Sequence, residues 1–146
     1  MQKNISDTTE RTFHARSYSS GTPGRAICNS RNHYFIADDV GYDEVTAGEY
    51  FLTGLTACAV NMLTRVAKEM NLPIKHLDVQ ADGTYLRGHH NDNDVTLFER
   101  VSMTFELTGV SHSEASKLVA TYQKRCPLYG TVVTATSDVK IKMLVK

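Results

Sequence analysis

The sequence predicts an α+β fold, and three observations predict it. A long apolar segment with helical periodicity occupies the middle of the chain. Stretches that alternate apolar and polar residues flank it. The order of segments runs strands, helix, strands, helix, strand. With 146 residues the chain is near the commonest domain size, so a single domain over 1–146 is expected, with the polar residues 1–10 flexible. A chain of this size buries roughly two thirds of its unfolded surface and needs neither disulfides nor a metal to fold.

Taken in order, residues 11–18 (RTFHARSY) and 25–28 (RAIC) read as strands, separated by the Gly- and Pro-containing run SSGTPG as in a hairpin. A third strand is expected at 33–38, followed by the polar loop DDVGYDEVTAG. From Glu49 to Met70 there is no proline and one glycine, Gly54. Leu55, Cys58, Ala59, Met62 and Val66 fall on one helical face. The run YFLTGLTACAVNML is apolar nearly all round, so the helix is expected to be buried on most sides. Asn71, Leu72 and Pro73 stop it. Such a helix is about 35 Å long. One small sheet does not cover it, which predicts an obligate homodimer.

Beyond the helix, 76–87 alternates, with Leu77, Val79, Ala81 and Tyr85 on one side. Residues 95–108 do the same with Leu97, Val101, Met103, Phe105 and Leu107. The polar run RGHHNDND joins them, and an antiparallel sheet is expected. Ser111 or Ser113 caps a second helix at about 113–125, with Glu114 in its first turn and Lys124 and Arg125 in its last. Cys126-Pro127 ends it, and the final strand is placed at 132–145.

Composition narrows the function classes. Lys+Arg and Asp+Glu are 16 each, for a net charge of zero, which argues against nucleic acid or an anionic membrane as partner. No apolar run reaches membrane-spanning length and the N-terminus has no apolar leader region, so a cytoplasmic location is expected. Three cysteines, Cys28, Cys58 and Cys126, match neither a disulfide framework nor a zinc-ligand spacing and read as reduced thiols. Cys58 lies mid-helix among apolar residues, where a cysteine ordinarily just packs and burial raises its pKa. Reactivity there needs a cation brought from elsewhere. Cys126 sits at a segment boundary before Pro127, and Cys28 is a strand residue near Arg25 and Arg31. His89, His90, Asp92 and Asp94 suggest a metal loop, but a solvated hairpin tip is the simpler account, and neither metal nor cofactor is expected. Glu49 opens the buried helix, as a favourable first-turn carboxylate or as a group that orients a cation near Cys58.

The run GEYFLTGLTACAV resembles the segment that opens the central helix of the OsmC/Ohr family, the osmotically inducible and organic hydroperoxide resistance proteins. KRCPLYGTV resembles the family's second cysteine motif, and SRNHYFIADDVGYDEVTAGEY the strand and loop leading into the helix. The order of elements agrees over residues 11–146. The resemblance implies an OsmC-like fold, with antiparallel sheets wrapped around a long central helix in an intertwined homodimer. It also implies thiol-dependent reduction of hydroperoxides at the dimer interface. Cys58 is then the peroxidatic thiolate, Cys126 the resolving thiol, and a cellular dithiol the reductant. The activating arginine falls to Arg31, with Arg16 and Arg25 behind it. The family's proline is Ala47 here, and the glutamate of the hydroperoxide branch stands where this chain has Gly48, so Glu49 fits the broader OsmC-like branch. Tyr50, Phe51 and Tyr129 are candidates for an apolar substrate pocket or simply for the core. The dithiol mechanism predicts that Cys58 and Cys126 lie close together. A non-catalytic protein binding a small apolar ligand on the same fold is the alternative.

Overall fold

A computed structural model of the chain describes residues 11–85, 96–135 and 139–146. It forms two compact units, with the boundary in the chain between Ala47 and Gly48.

The first unit holds β1 (Arg16–Ser19), β2 (Arg25–Ser30) and β3 (His33–Asp38) in an antiparallel sheet of that order. Ser30 pairs with His33, so Arg31 and Asn32 form a two-residue turn. Both have positive φ, 50° and 64°, as the right-handed twist of a hairpin requires. Asn tolerates that conformation. Arg does not, and its presence there costs about 1 kcal/mol. The carboxylate of Asp38 is buried and accepts two hydrogen bonds from Arg25, at 2.7 Å from Nε and 2.6 Å from Nη2. It also accepts from the Glu44 N–H at 3.2 Å, which pins the loop after β3. The Arg25 hydrogen bonds hold its carboxyl below the usual carboxylate range, against the opposing effect of burial. Cys28 is buried in β2, where the Ser17 hydroxyl donates to its sulfur at 3.3 Å.

The second unit carries the apolar core. The helix α1 (Ala47–Glu69) is followed by β4 (His76–Thr84), β5 (Arg100–Thr108), α2 (His112–Arg125), α3 (Pro127–Ala135) and β6 (Val139–Val145). Leu55, Ala59, Met62, Leu63, Val66 and Ala67 form the buried face of α1. At its end Asn71 takes φ 55°, the Leu72 N–H bonds to the Ala67 carbonyl and the Asn71 N–H to that of Lys68, closing the helix. β5 follows the expected alternation, with Val101, Met103, Phe105 and Leu107 fully buried. Each such side chain contributes roughly 1.5–3 kcal/mol by leaving water. Ser111 is the N-cap of α2, and it and Glu114 exchange hydrogen bonds in a capping box.

Two expectations are corrected. Residues 127–135 are helical, so the strand predicted over 132–145 shrinks to β6. The β-branched run TVVTAT favours a strand locally, but Pro127 begins a helix and Tyr129 and Val132, three residues apart, turn inward together. The sheet is also not wholly antiparallel. β4 pairs antiparallel with β5, but β5 pairs parallel with β6. Two helices lie between β5 and β6, and a crossover of that kind returns the chain in the same direction. Within one protomer α1 is not covered on most sides. It buries one face, and Phe51 stays 45% exposed. The loop with His89, His90, Asp92 and Asp94 lies outside the described residues.

Candidate functional site

The structure brings two of the predicted site residues together. The sulfurs of Cys58 and Cys126 are 2.8 Å apart, although 68 residues separate them in sequence. Both are free thiols, Cys58 half-buried and Cys126 buried. Cys58 sits in α1 between Leu55 and Ala59, at the edge of the helix's buried face.

Cys126 is held at three points because it joins two helices. Its N–H bonds to the Tyr122 carbonyl at 2.9 Å and closes α2. Its carbonyl accepts from the Gly130 N–H at 3.0 Å and opens α3. Its sulfur accepts from the Tyr129 N–H at 3.4 Å, the place of an N-cap side chain. The Leu128 N–H favours the ionised form of Cys58. The first turn of α3 therefore supplies two backbone N–H groups that favour negative charge on the sulfurs, as does the positive end of a helix dipole.

That effect does not prevail in the protomer. Burial is the largest influence on Cys58, followed by the hydrogen bond and charge of Cys126, and together they push its thiol up to about 11. The Leu128 N–H and the charge of Arg65, seven residues along α1, oppose the rise without cancelling it.

Sequence reasoning did not single out Tyr122, Arg65 or the first turn of α3. Only Pro127, as a helix-starting residue directly after Cys126, signalled the last of these. Tyr122 is fully buried in α2, with its ring 5.5 Å from that of Phe105 and 5.3 Å from that of Tyr129. Its hydroxyl donates to the Met103 sulfur at 3.6 Å.

The other predicted residues lie apart from the thiols or in the other unit. Glu49 and Cys58 are nine residues apart on α1, which is half a turn out of phase and about 13 Å along the axis. Glu49 lines a groove of about 300 Å³ with Leu52, Thr53 and Thr56 of α1 and Val79 and Gln80 of β4. The sequence left it as a first-turn carboxylate or as a group that orients a cation near Cys58. Within one protomer it points the other way. Arg31, Arg16 and Arg25 all belong to the first unit. Arg25 is committed to Asp38, and Arg16 lies over the Tyr18 ring at 5.4 Å. Of the expected pocket residues, Phe51 stacks on Phe98 at 5.8 Å, and Tyr129 is buried with its hydroxyl accepting from Gln123 at 2.9 Å. Phe98 lines a small cavity of about 220 Å³ with Tyr85, Thr96 and Leu97. Among the described residues no group of three or more His, Cys, Asp or Glu side chains is placed to hold a metal ion, and no helix is long and apolar enough to cross a membrane.

The family profile of OsmC-like protein matches residues 40–142. Solved structures agree with the fold over nearly the whole chain. An OsmC-like protein from Mycoplasma pneumoniae superposes with a TM-score of 0.80 at 15% identity, covering 93% of this chain and 99% of its own. An organic hydroperoxide resistance protein from Elizabethkingia anophelis gives 0.78 at 20% identity, covering 95% and 99%. Another from Bacillus subtilis gives 0.70 at 18% identity, covering 93% and 98%. No curated protein sequence matches.

Proposed function

The chain belongs to the OsmC-like protein family, and from that premise we propose that it is a thiol-dependent peroxidase that reduces organic hydroperoxides or hydrogen peroxide. The observation that carries the reading is the approach of Cys58 and Cys126 to 2.8 Å, one thiol half-buried and the other buried at the start of α3. The hydroperoxide resistance proteins among the similar folds support it.

Cys58 as thiolate attacks the O–O bond of the hydroperoxide. The sulfur gains an S–OH bond, the O–O bond breaks, and the leaving alkoxide takes a proton to become the alcohol. Cys126 then attacks the sulfenic sulfur. An S–S bond forms, and the departing hydroxide takes the thiol proton and leaves as water. A cellular dithiol reduces the disulfide by exchange, becoming a disulfide itself and restoring both thiols. The buried position of Cys126 beside Cys58 favours this closure over further oxidation of the sulfenic acid.

Attack needs the thiolate, and Cys58 within one protomer is held protonated. A cation must therefore join it. We assign that role to Arg31, with Arg16 and Arg25 as alternatives and Glu49 as the carboxylate that orients the cation. Two observations favour Arg31. It occupies a turn position that asparagine, aspartate or glycine fills with less strain, and Arg25 already serves Asp38. Because Glu49 and Cys58 of one chain face opposite ways, the assembly we propose is a homodimer in which the partner completes the site. Tyr34, Phe35 and Ile36 of β3 and Phe51 of α1 are large apolar residues at the surface of a lone protomer, and a second copy covers such residues. The free thiols suit the reducing cytoplasm.

A second reading, a small-ligand-binding protein without catalysis, draws on the high pKa of Cys58 and the cavity beside Phe98. One experiment separates the two. One equivalent of cumene hydroperoxide is added to the reduced protein, free thiols are counted, and the product is mapped by mass spectrometry. The peroxidase reading expects rapid loss of two thiols and a Cys58–Cys126 linkage. Intact thiols after prolonged exposure refute it and leave ligand binding.

A further inference from the structure

A groove of about 490 Å³ lies between α1 and the start of β4, inside the second unit. Its helical wall is Val60, Thr64, Ala67 and Lys68, which fall on one side of α1. Val60 follows Cys58 by two residues and so lies about 200° round the helix from it. The groove therefore opens on the side of α1 away from the thiols, and the peroxide chemistry makes no use of it. Phe51, which belongs to the surface a second copy covers, is at the other end of α1, about 25 Å from Lys68 along the axis.

The groove has an apolar floor and a cationic rim. Leu72, Ile74 and Leu77 are half-buried and packed against the core, and Ala67 is buried. Lys68 and Lys75 are exposed at the edge, with His76 next to Lys75. Among the described residues no aspartate or glutamate lines the groove, and neither lysine makes an ion pair. The acids that follow Lys68 and Leu77 in sequence are engaged elsewhere. Glu69 accepts from Arg125 at 3.0 Å, and Asp78 accepts from Gln80 at 3.1 Å. Two of the last carbonyls of α1, those of Lys68 and Ala67, accept from the N–H groups of Asn71 and Leu72. The two lysines thus set the charge at this end of the helix. The Thr64 hydroxyl donates to the Val60 carbonyl at 2.8 Å, so the helical wall offers a ligand little besides apolar surface and positive charge.

Such a surface is complementary to an apolar chain with one terminal negative charge. A sugar phosphate or a nucleotide matches the rim but not the floor. Val60 and Lys68 are about 12 Å apart along α1. An extended chain advances about 1.2 Å per bond, so about ten bonds span that distance. We propose that this groove binds a free fatty acid of medium chain length, with its carboxylate at Lys68 and Lys75 and its chain on Leu72, Ile74 and Leu77. The proposal does not rest on the peroxidase reading.

The test uses the full chain, decanoate as the probe and decanol as its uncharged control, followed by calorimetry and by amide chemical shifts. Saturable binding of decanoate below about 1 mM is expected, about threefold weaker for each methylene removed, with shifts centred on Thr64 to Leu77. Replacing both lysines, Lys68→Gln with Lys75→Gln, is expected to weaken decanoate about fivefold at low salt and to leave decanol unchanged. Thr64→Glu, at an exposed helical position, places a carboxylate in the groove and is expected to weaken decanoate as well, which keeps the proposal testable should the double variant not fold. No saturable binding, shifts centred elsewhere, or equal affinity for decanoate and decanol overturns the proposal. Protection of the groove amides by a second copy, with decanoate excluded, also overturns it and gives the groove to the assembly instead.

Discussion

Replacing Arg31 by alanine tests how Cys58 becomes a nucleophile. Within the protomer the Cys58 thiol is pushed up to about 11, mainly by burial. At pH 7 such a thiol is ionised in about one molecule in 10⁴, against about 3% for an ordinary cysteine. One guanidinium about 4 Å from the sulfur, at an effective dielectric near 20, contributes ~4 kcal/mol, or about three pH units. If Arg31 is that group, Arg31→Ala raises the midpoint of Cys58 reactivity by about three units. The thiolate population at pH 7 then falls ~10³-fold. The more basic thiolate is intrinsically ~20-fold more nucleophilic, so the net loss of rate at pH 7 is ~50-fold, and it closes as the pH rises. The midpoint is therefore a cleaner readout than the rate. The assay is reaction with a small aromatic disulfide across pH 6–12, quenched and resolved by mass spectrometry on the peptide that carries Cys58. An unmoved midpoint removes Arg31 from the site. A shift in Arg16→Ala instead transfers the role to Arg16. A wild-type midpoint already near 11 means that no cation reaches Cys58, and the peroxidase reading loses its nucleophile.

Cys126→Ser is expected to lose one thiol per hydroperoxide equivalent and to accumulate a Cys58 sulfenic acid that dimedone traps, with excess peroxide carrying it to the sulfinic acid; recovery of full multi-turnover activity refutes the resolving role. Asp38→Asn is expected to flatten the acid end of the stability curve. The folded carboxyl titrates below its unfolded value, so its contribution is complete above the unfolded pKa near 4 and is lost as pH falls through the lower folded value; thermal melts from pH 2 to 7 that superpose for both proteins refute it. Phe105→Ala is expected to cost about 3–5 kcal/mol in urea unfolding, since the side chain is fully buried against Tyr122, and a cost below about 1 kcal/mol contradicts that placement.

Much of the fold was legible because pattern and burial agree there. The period-two run around Met103 and Phe105 has one solution, a half-buried strand, and the face through Leu55, Ala59 and Met62 has one solution, a helix. The register of α1 was legible at its end as well, since Asn71 accepts the left-handed conformation that closes it. Residues 127–135 were not legible. Their β-branched content points to a strand, and the helix is chosen by what Tyr129 and Val132 pack against, which is tertiary information. The parallel pairing of β6 was hidden with it, because direction depends on the crossover that α2 and α3 form.

The site was legible to the same depth. Cys58 and Cys126 are marked by their motifs, and the fold joins them. The environment that governs their reactivity is not marked. It comes from Cys126 being at once the end of α2 and the start of α3, so that its backbone is bound on both sides while its sulfur takes a capping hydrogen bond. A residue so held has little freedom to approach a distant partner, and the 2.8 Å separation means that it needs little. Closure of the dithiol is therefore a property of the second unit by itself. Ionisation of Cys58 is not, because burial opposes it and the candidate arginines are all in the first unit. On the peroxidase reading the two halves of the chemistry are separable: the geometry for making a disulfide is built into the second unit, while the charge that starts the reaction comes from outside it. A variant that disrupts the first unit and spares the second should thus keep a Cys58–Cys126 pair that a strong disulfide oxidant closes, while losing its response to hydroperoxide.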